Sequence, residues 1–162
     1  MNPHPMKHIR TVCAVFFALS VLAGCRYPEG PGLSFHDPEY RIVGFWQITH
    51  TCLNGTQIDS TASAAVSETG CLANNPGTYY YIYADYILQV MAYHNGEYRK
   101  STYGSWHFEN NYRDLIMQFT VLGKKYSYKA SVKKLSRREM IFEYTDEQDN
   151  EWRIVMNSRS GY

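Results

Sequence analysis

Lys125-Tyr126-Ser127-Tyr128-Lys129-Ala130-Ser131-Val132 alternates strictly, with Tyr126, Tyr128, Ala130 and Val132 on one side and Lys125, Ser127, Lys129 and Ser131 on the other. Side chains two residues apart share a face only in an extended chain, so this stretch reads as a β-strand with one dry face and one wet face. Strands of that kind belong to antiparallel sheets, whose neighbours are joined by short turns. Turn signals flank it: Gly123-Lys124 before, and the polar corner Ser136-Arg137-Arg138-Glu139 after.

The pattern extends in both directions. Downstream, residues 140–145 put Met140, Phe142 and Tyr144 on one face. After the acidic turn Asp146-Glu147-Gln148-Asp149-Asn150, a last strand carries Trp152, Ile154 and Met156. Upstream, residues 115–122 align Leu115, Met117, Phe119 and Val121. Before them residues 98–108 place Tyr98, Thr102, Gly104, Trp106 and Phe108 on one face, following the hairpin turn Asn95-Gly96. Residues 78–93, dense in Tyr, Ile, Leu and Val, read as one long strand or as two with a kink near Ala84-Asp85. The first strand spans 41–51, with Ile42, Gly44, Trp46 and Ile48 opposite Val43, Phe45, Gln47 and Thr49. Residues 56–78, rich in Ser, Thr, Ala, Gly and Asn, are expected to form a long loop with a short helix near 63–67. Seven or eight strands in chain order make an up-and-down meander, and closing it into a barrel removes its exposed edges. The expected fold is all-β, an antiparallel up-and-down β-barrel.

The amino terminus sets the address. Lys7, His8 and Arg10 precede an apolar run over 12–22 and the small residues Ala23 and Gly24, which is the build of a secretory leader. That run is shorter than the ~20 apolar residues a transmembrane helix needs. Leu22-Ala23-Gly24-Cys25 resembles the lipobox of bacterial lipoproteins. The resemblance implies cleavage before Cys25, a diacylglycerol on its thiol and an acyl chain on the new amine. Arg26 in the next position implies the outer membrane by the same resemblance. Two or three acyl chains give stable anchoring where one is marginal. The expected organisation is a leader over 1–24, acylated Cys25 with a flexible Pro/Gly-rich tether over 25–40, and one domain over 41–162.

Composition narrows the function. The chain carries 16 Lys and Arg against 15 Asp and Glu, and without Lys7 and Arg10 the balance is 14 to 15. That is no basic footprint for nucleic acid. Among four cysteines, Cys13 leaves with the leader and Cys25 is acylated, which leaves Cys52 and Cys71. In an oxidising envelope compartment these are expected to form a disulfide, adding about 3 kcal/mol in the chain-entropy model. Two buried free thiols or a partial metal site are the alternatives.

Gly44-Phe45-Trp46 resembles the Gly-x-Trp opening of lipocalins, and Tyr103-Gly104-Ser105-Trp106-His107-Phe108 is similar to the recurrent Gly-x-Trp strand of bacterial lipocalin-like lipoproteins. The likeness covers about 42–159 and implies a lipocalin-like (calycin) barrel closed by Gly44, Trp46, Gly104 and Trp106. In this reading glycine lets the first strand bend and tryptophan plugs the narrow end. The lipocalin pattern also implies an arginine packed on the first Trp, with Arg153 or Arg159 in that role.

The 15 tyrosines of the chain supply the binding candidates. On a strand Tyr79, Tyr81 and Tyr83 share one face while Tyr80 and Ile82 share the other. Together with Met117, Phe119, Tyr126 and Tyr128 they are candidates either to line a cavity or to fill a core. Apolar rings with hydroxyl handles suit a lipid, an aromatic molecule or a sugar ring. His50, His94 and His107 are scattered over strand ends, and the turn over 146–151 lacks the spacing of a calcium loop, so neither a metal nor a cofactor is expected. Asp59-Ser60-Thr61 resembles a short bacterial O-glycosylation site. No nucleophile elbow, Walker loop, zincin helix or dinucleotide fingerprint occurs, so no enzymatic activity is expected. The expected function is an outer-membrane-anchored carrier of a small apolar or amphipathic ligand. The alternative is an envelope protein with a filled barrel that meets a protein or glycan partner through residues 56–78.

Overall fold

The computed structural model describes residues 37–58, 72–94 and 96–159, without the side chains of Leu72 and His94. The leader, Cys25, the tether to residue 36, Ser60, and Cys71 lie outside the described residues. A one-turn helix, α1, spans Pro38–Ile42. Asp37 caps it, its carboxylate accepting from Glu39 N, and Pro38 opens the first turn, where a missing N–H costs nothing. The first strand therefore starts at Gly44 rather than at residue 41, and Ile42 is buried from the helix.

Ten strands follow: β1 Gly44–Leu53, β2 Thr56–Ile58, β3 Tyr79–Ile82, β4 Ile87–His94, β5 Glu97–Lys100, β6 Gly104–Glu109, β7 Asp114–Val121, β8 Lys124–Leu135, β9 Glu139–Thr145 and β10 Glu151–Ser158. Eight of them form a ring in the order β1-β3-β4-β6-β7-β8-β9-β10, and β10 closes on β1 from Trp46↔Ser158 to Leu53↔Trp152. The two others are short hairpin partners, β2 on β1 and β5 on β4. Every pairing is antiparallel, so the meander read from the sequence is a closed lipocalin-like barrel.

The inward row of β8 is the one expected, with Tyr126, Tyr128, Ala130 and Val132 buried, and a bulge between Val132 and Lys134 returns Leu135 to the inside. A second bulge, between Ile48 and His50, shifts the parity of β1 so that Thr51 rather than His50 faces inward. Residues 78–93 are two strands, joined by a turn over 83–86. The stretch 98–108 is also two strands rather than one. Tyr98 and Thr102 are exposed, and the chain passes from β5 to β6 through Ser101, whose Oγ accepts from Val90 N at 2.8 Å while its own N donates to Val90 O at 2.7 Å.

Three indoles tie connections to the wall, and each N–H is used, as a buried indole requires. Trp46 Nε1 donates to Ile42 O of α1 at 2.7 Å, Trp106 Nε1 to Tyr83 O of the β3–β4 turn at 2.9 Å, and Trp152 Nε1 to Asp146 Oδ2 of the β9–β10 turn at 2.8 Å. Trp46 and Trp106 lie at the closed end, and Trp152 belongs to the opposite rim. Gly44 has φ +149, a conformation that suits glycine. Neither expected arginine reaches Trp46. Arg153 sits opposite Cys52 near the rim and pairs with Glu143. Arg159 is exposed, its Nε donating to Gln47 Oε1 at 2.6 Å on the outer face. The buried arginine at the closed end is Arg41, whose Nη1 donates to Leu135 O at 3.0 Å.

Candidate functional site

Leu88, Val90, Ala92, Leu115, Met117, Phe142, Ile154 and Met156 are wholly buried at 0% exposure. A side chain with no accessible area borders no water-sized void, so the lower and middle barrel is a packed core. Met117 is therefore part of that core rather than a cavity wall. Access begins higher, where Phe119, Tyr126, Tyr128 and Tyr144 each keep a few per cent of exposure. Their rings run on without a break: Phe119 stacks on Tyr126 at 5.3 Å between centroids, and Tyr128 stacks on Tyr144 at 4.5 Å. Tyr80 meets Phe119 edge-on at 5.9 Å.

The wall opens beside these rings. The β8–β9 ladder runs from Leu135↔Met140 up to Ser131↔Glu143, and above it, among the described residues, β8 pairs with β7 alone and β9 with β10 alone. A cleft of about 180 Å³ occupies this gap, lined by Tyr126, Tyr128 and Tyr144 with Lys124, Asp146 and Glu147 at its lip. Lys124 Nζ lies over the Tyr126 ring, 5.6 Å from the centroid, so that ring already holds a cation at the lip. A larger hollow of about 660 Å³ lies on the outer wall, lined by charged side chains including Lys129, Glu143 and Arg153.

Residues 72–78 close the mouth from above. Leu72–Asn74 form a single 3₁₀ turn, and Ala73, Asn74, Asn75 and Thr78 are buried. Thr51 Oγ1 donates to Asn74 O at 2.6 Å, Tyr80 OH to Ala73 O at 3.2 Å, and Asn74 Nδ2 donates to the Tyr144 hydroxyl. Asn74 Oδ1 and Asn75 Oδ1 are buried without a hydrogen-bond partner. A buried acceptor left unpaired costs about 1–3 kcal/mol. Asn74 lies directly behind the Tyr144 hydroxyl, while Asn75 Nδ2 donates to Tyr93 O on β4.

The rim turn is built around Asp146, whose Oδ1 accepts from Gln148 N and Asn150 N, both at 2.9 Å. Burial works against its charge, but these bonds and the one from Trp152 prevail and hold the carboxyl below its ordinary range. A carboxyl depressed in the folded state adds stability above its unfolded value, and that stability is lost as pH falls through the lower folded value. Acidification from about pH 4 towards pH 2, below the unfolded value near 3.9, is therefore expected to lower the thermal midpoint of the wild type faster than that of Asp146→Asn. Parallel melting curves would show that the rim carboxylate has no such coupling.

The remaining expected site residues lie elsewhere. Tyr79 and Tyr81 face outward, because Tyr80 and Ile82 are the inward pair of β3. They stack on Phe45 at 4.9 and 4.4 Å and form an outer aromatic cover with Tyr93 and Tyr98. Tyr83 is exposed in the turn at the closed end. Cys52 is a half-buried free thiol among the described residues, on the outer face, and its expected partner Cys71 lies outside them. His50 is exposed towards the rim, while His107 meets Glu109 at 3.6 Å low on the outer wall. No group of three or more metal-type ligands occurs among the described residues. Sequence reasoning placed Tyr144 and Trp152 inside but did not single them out as site residues, and it missed Thr51 and Asn74. Their inward placement depends on a bulge and on a loop folding back, which local pattern does not encode.

Fold and mouth together define an eight-stranded lipocalin-like barrel with an aromatic, strapped opening. A similar solved structure is the tryptamine complex of the amine binding protein of Rhodnius prolixus, with a TM-score of 0.52 and 12% identity over 81% of this chain and 70% of that one. At that identity the likeness establishes the fold. No protein-family model matches the chain, and no curated protein matches it.

Proposed function

We propose that this chain is an outer-membrane lipoprotein, anchored through Cys25, that binds a small apolar or amphipathic ligand at the mouth of its barrel and performs no catalysis. The observation that carries the ligand part is the cleft between β8 and β9, with three tyrosine rings on its walls and unpaired Asn74 Oδ1 behind Tyr144. Its volume, about 180 Å³, is below the ~300 Å³ of ordinary small-molecule pockets, so the ligand is a compact molecule with a hydrogen-bond donor. The amine binding protein named above, whose solved complex holds tryptamine, supports a compact nitrogenous ligand for a barrel of this shape. The anchor rests on Leu22-Ala23-Gly24-Cys25, and the oxidising compartment it implies favours a Cys52–Cys71 disulfide.

Mass spectrometry of the chain purified from its own membrane tests the anchor, the disulfide and the ligand. Acyl chains add mass at Cys25, a disulfide removes a hydrogen pair, and a retained ligand adds its own mass under native conditions. A dye that fluoresces on burial is expected to bind the mouth, with Tyr128→Ala weakening it about tenfold and Met117→Leu leaving it unchanged. If neither dye nor native ligand binds, carriage is wrong. The packed lower barrel then favours the alternative of a protein or glycan partner met through residues 56–78, from which the buried Ala73, Asn74 and Asn75 are already withdrawn.

A further inference from the structure

We propose that the closed end of the barrel is a membrane-docking face that lies on an anionic bilayer surface and points the ligand mouth away from it. Among the described residues seven large apolar side chains are exposed, and four of them, Tyr40, Val43, Tyr83 and Tyr86, gather at this one end. They come from α1 and the β3–β4 turn, which are joined because the Tyr86 hydroxyl donates to Glu39 Oε2 at 3.2 Å. The Tyr86 ring leans on Trp106 at 5.4 Å, and a hollow of about 480 Å³ opens between Tyr40, Val43, Ala84 and Trp106, with Asp37 and Glu39 on its edge. Tyrosines at such a surface keep their rings at the level of lipid headgroups and their hydroxyls in water.

Charge points the same way. The turns at this end expose Arg113, Arg137 and Arg138, with Arg159 close by. No ion pair links any of these four to a carboxylate among the described residues. Of the carboxylates at this end, Glu109 pairs with Lys129 and Glu139 with Lys134, Asp37 caps α1, Glu39 takes the Tyr86 hydroxyl and Asp85 is exposed. The opposite rim carries Asp146, Glu147, Asp149 and Glu151 against Lys124 and Lys125. An anionic leaflet attracts the first end and repels the second.

The tether fits this orientation. Cys25 stands twelve residues before Asp37, a reach of about 40 Å at full extension, and Asp37 enters the fold at the closed end. The docking rests on Cys25 being the anchor. Its functional consequence is that the cleft at the mouth exchanges ligand with the aqueous compartment rather than with the bilayer.

Hydrogen exchange on the full acylated chain, reconstituted on vesicles of phosphatidylethanolamine and phosphatidylglycerol, tests the proposal. The backbone of residues 38–43 and 83–87 is expected to exchange at least about fivefold more slowly in the wild type than in a Tyr40→Ser, Tyr83→Ser, Arg137→Ser variant carrying the same acyl chains, and equally in the two when both are unacylated in solution. The rim turns over 122–123 and 146–150 are expected to exchange equally in both. All three substituted side chains are exposed, so the variant retains the core, and equal rim exchange confirms it. Equal exchange at the closed end, or protection at the rim instead, overturns the docking while leaving the anchor intact. An intact mass without acylation at Cys25 removes the anchor and the docking together.

Discussion

Gly104→Ala is expected to destabilise the barrel by at least about 3 kcal/mol, and Gly104→Val to leave no folded protein. A Cβ at position 104 would lie 2.0 Å from Gln118 O, 2.9 Å from Gln118 C and 2.7 Å from Phe119 Cβ. The first two are backbone atoms of β7, so no rotamer change relieves the overlap; one strand must move away from the other. The ring is thinnest at this point. β4 and β6 meet only through Ile87↔Ser105 and Leu88↔Gly104, helped by the bonds between Ser101 and Val90. Shifting Gly104 away from β7 therefore disturbs the shortest junction of the ring, only two pairs long. Gly123→Ala is the control. Its φ of +79 carries a conformational cost, but nothing lies within 4 Å of the added atom, so a loss of about 1 kcal/mol is expected. Urea midpoints of Gly104→Ala and Gly123→Ala at unchanged slope check the order, and Gly104→Ala within 1 kcal/mol of the wild type sinks the steric argument.

Gly104 and Trp106 also show what the sequence exposes and what it hides. The pair was legible as a strand opening, and β6 does begin at Gly104 with Trp106 inward and buried. The reason for the glycine was not legible, since close approach to β7 is a relation between strands far apart in the chain. The same divide holds elsewhere. Tyr126, Tyr128, Met117 and Phe119 are inward because polar residues alternate with apolar ones in β7 and β8, and burial leaves a single choice of face. Tyr79-Tyr80-Tyr81-Ile82 offers aromatic or apolar side chains to both faces, so periodicity cannot choose, and packing chose Tyr80 and Ile82. The helix over Pro38–Ile42 left a signal in Asp37-Pro38-Glu39, a cap followed by proline, which the apolar pattern of the adjoining strand obscured. The strap at Leu72–Asn74 and the gap between β8 and β9 left none. Both depend on where other elements end.

Trp46→Ala is expected to cost about 4 kcal/mol, a large part of the 5–15 kcal/mol that holds a domain of this size together. Two effects add. The ring is 1% exposed and fills the closed end with Trp106, so its loss leaves a cavity that the surrounding ring of strands cannot collapse to fill. Its Nε1 also donates to Ile42 O at 2.7 Å, and without it a buried carbonyl of α1 is left unpaired, a cost of about 1–3 kcal/mol alone. Trp46→Phe separates these contributions. It restores most of the ring but no donor, so it should fall between wild type and alanine at about 2 kcal/mol. The loss should also be local in its first stage. α1 is held by Trp46 on one side, by Arg41 on Leu135 O and by Tyr86 on Glu39, and removing the first contact should let residues 38–43 exchange their amide hydrogens before the barrel unfolds. The mouth is at the other end, tied by Trp152 and the strap rather than by Trp46. Dye binding by Trp46→Ala, measured well below its unfolding midpoint, is therefore expected to match wild type. A variant that keeps its midpoint within 1 kcal/mol, or that loses dye binding while still folded, would show that the closed end does not act as a separate plug.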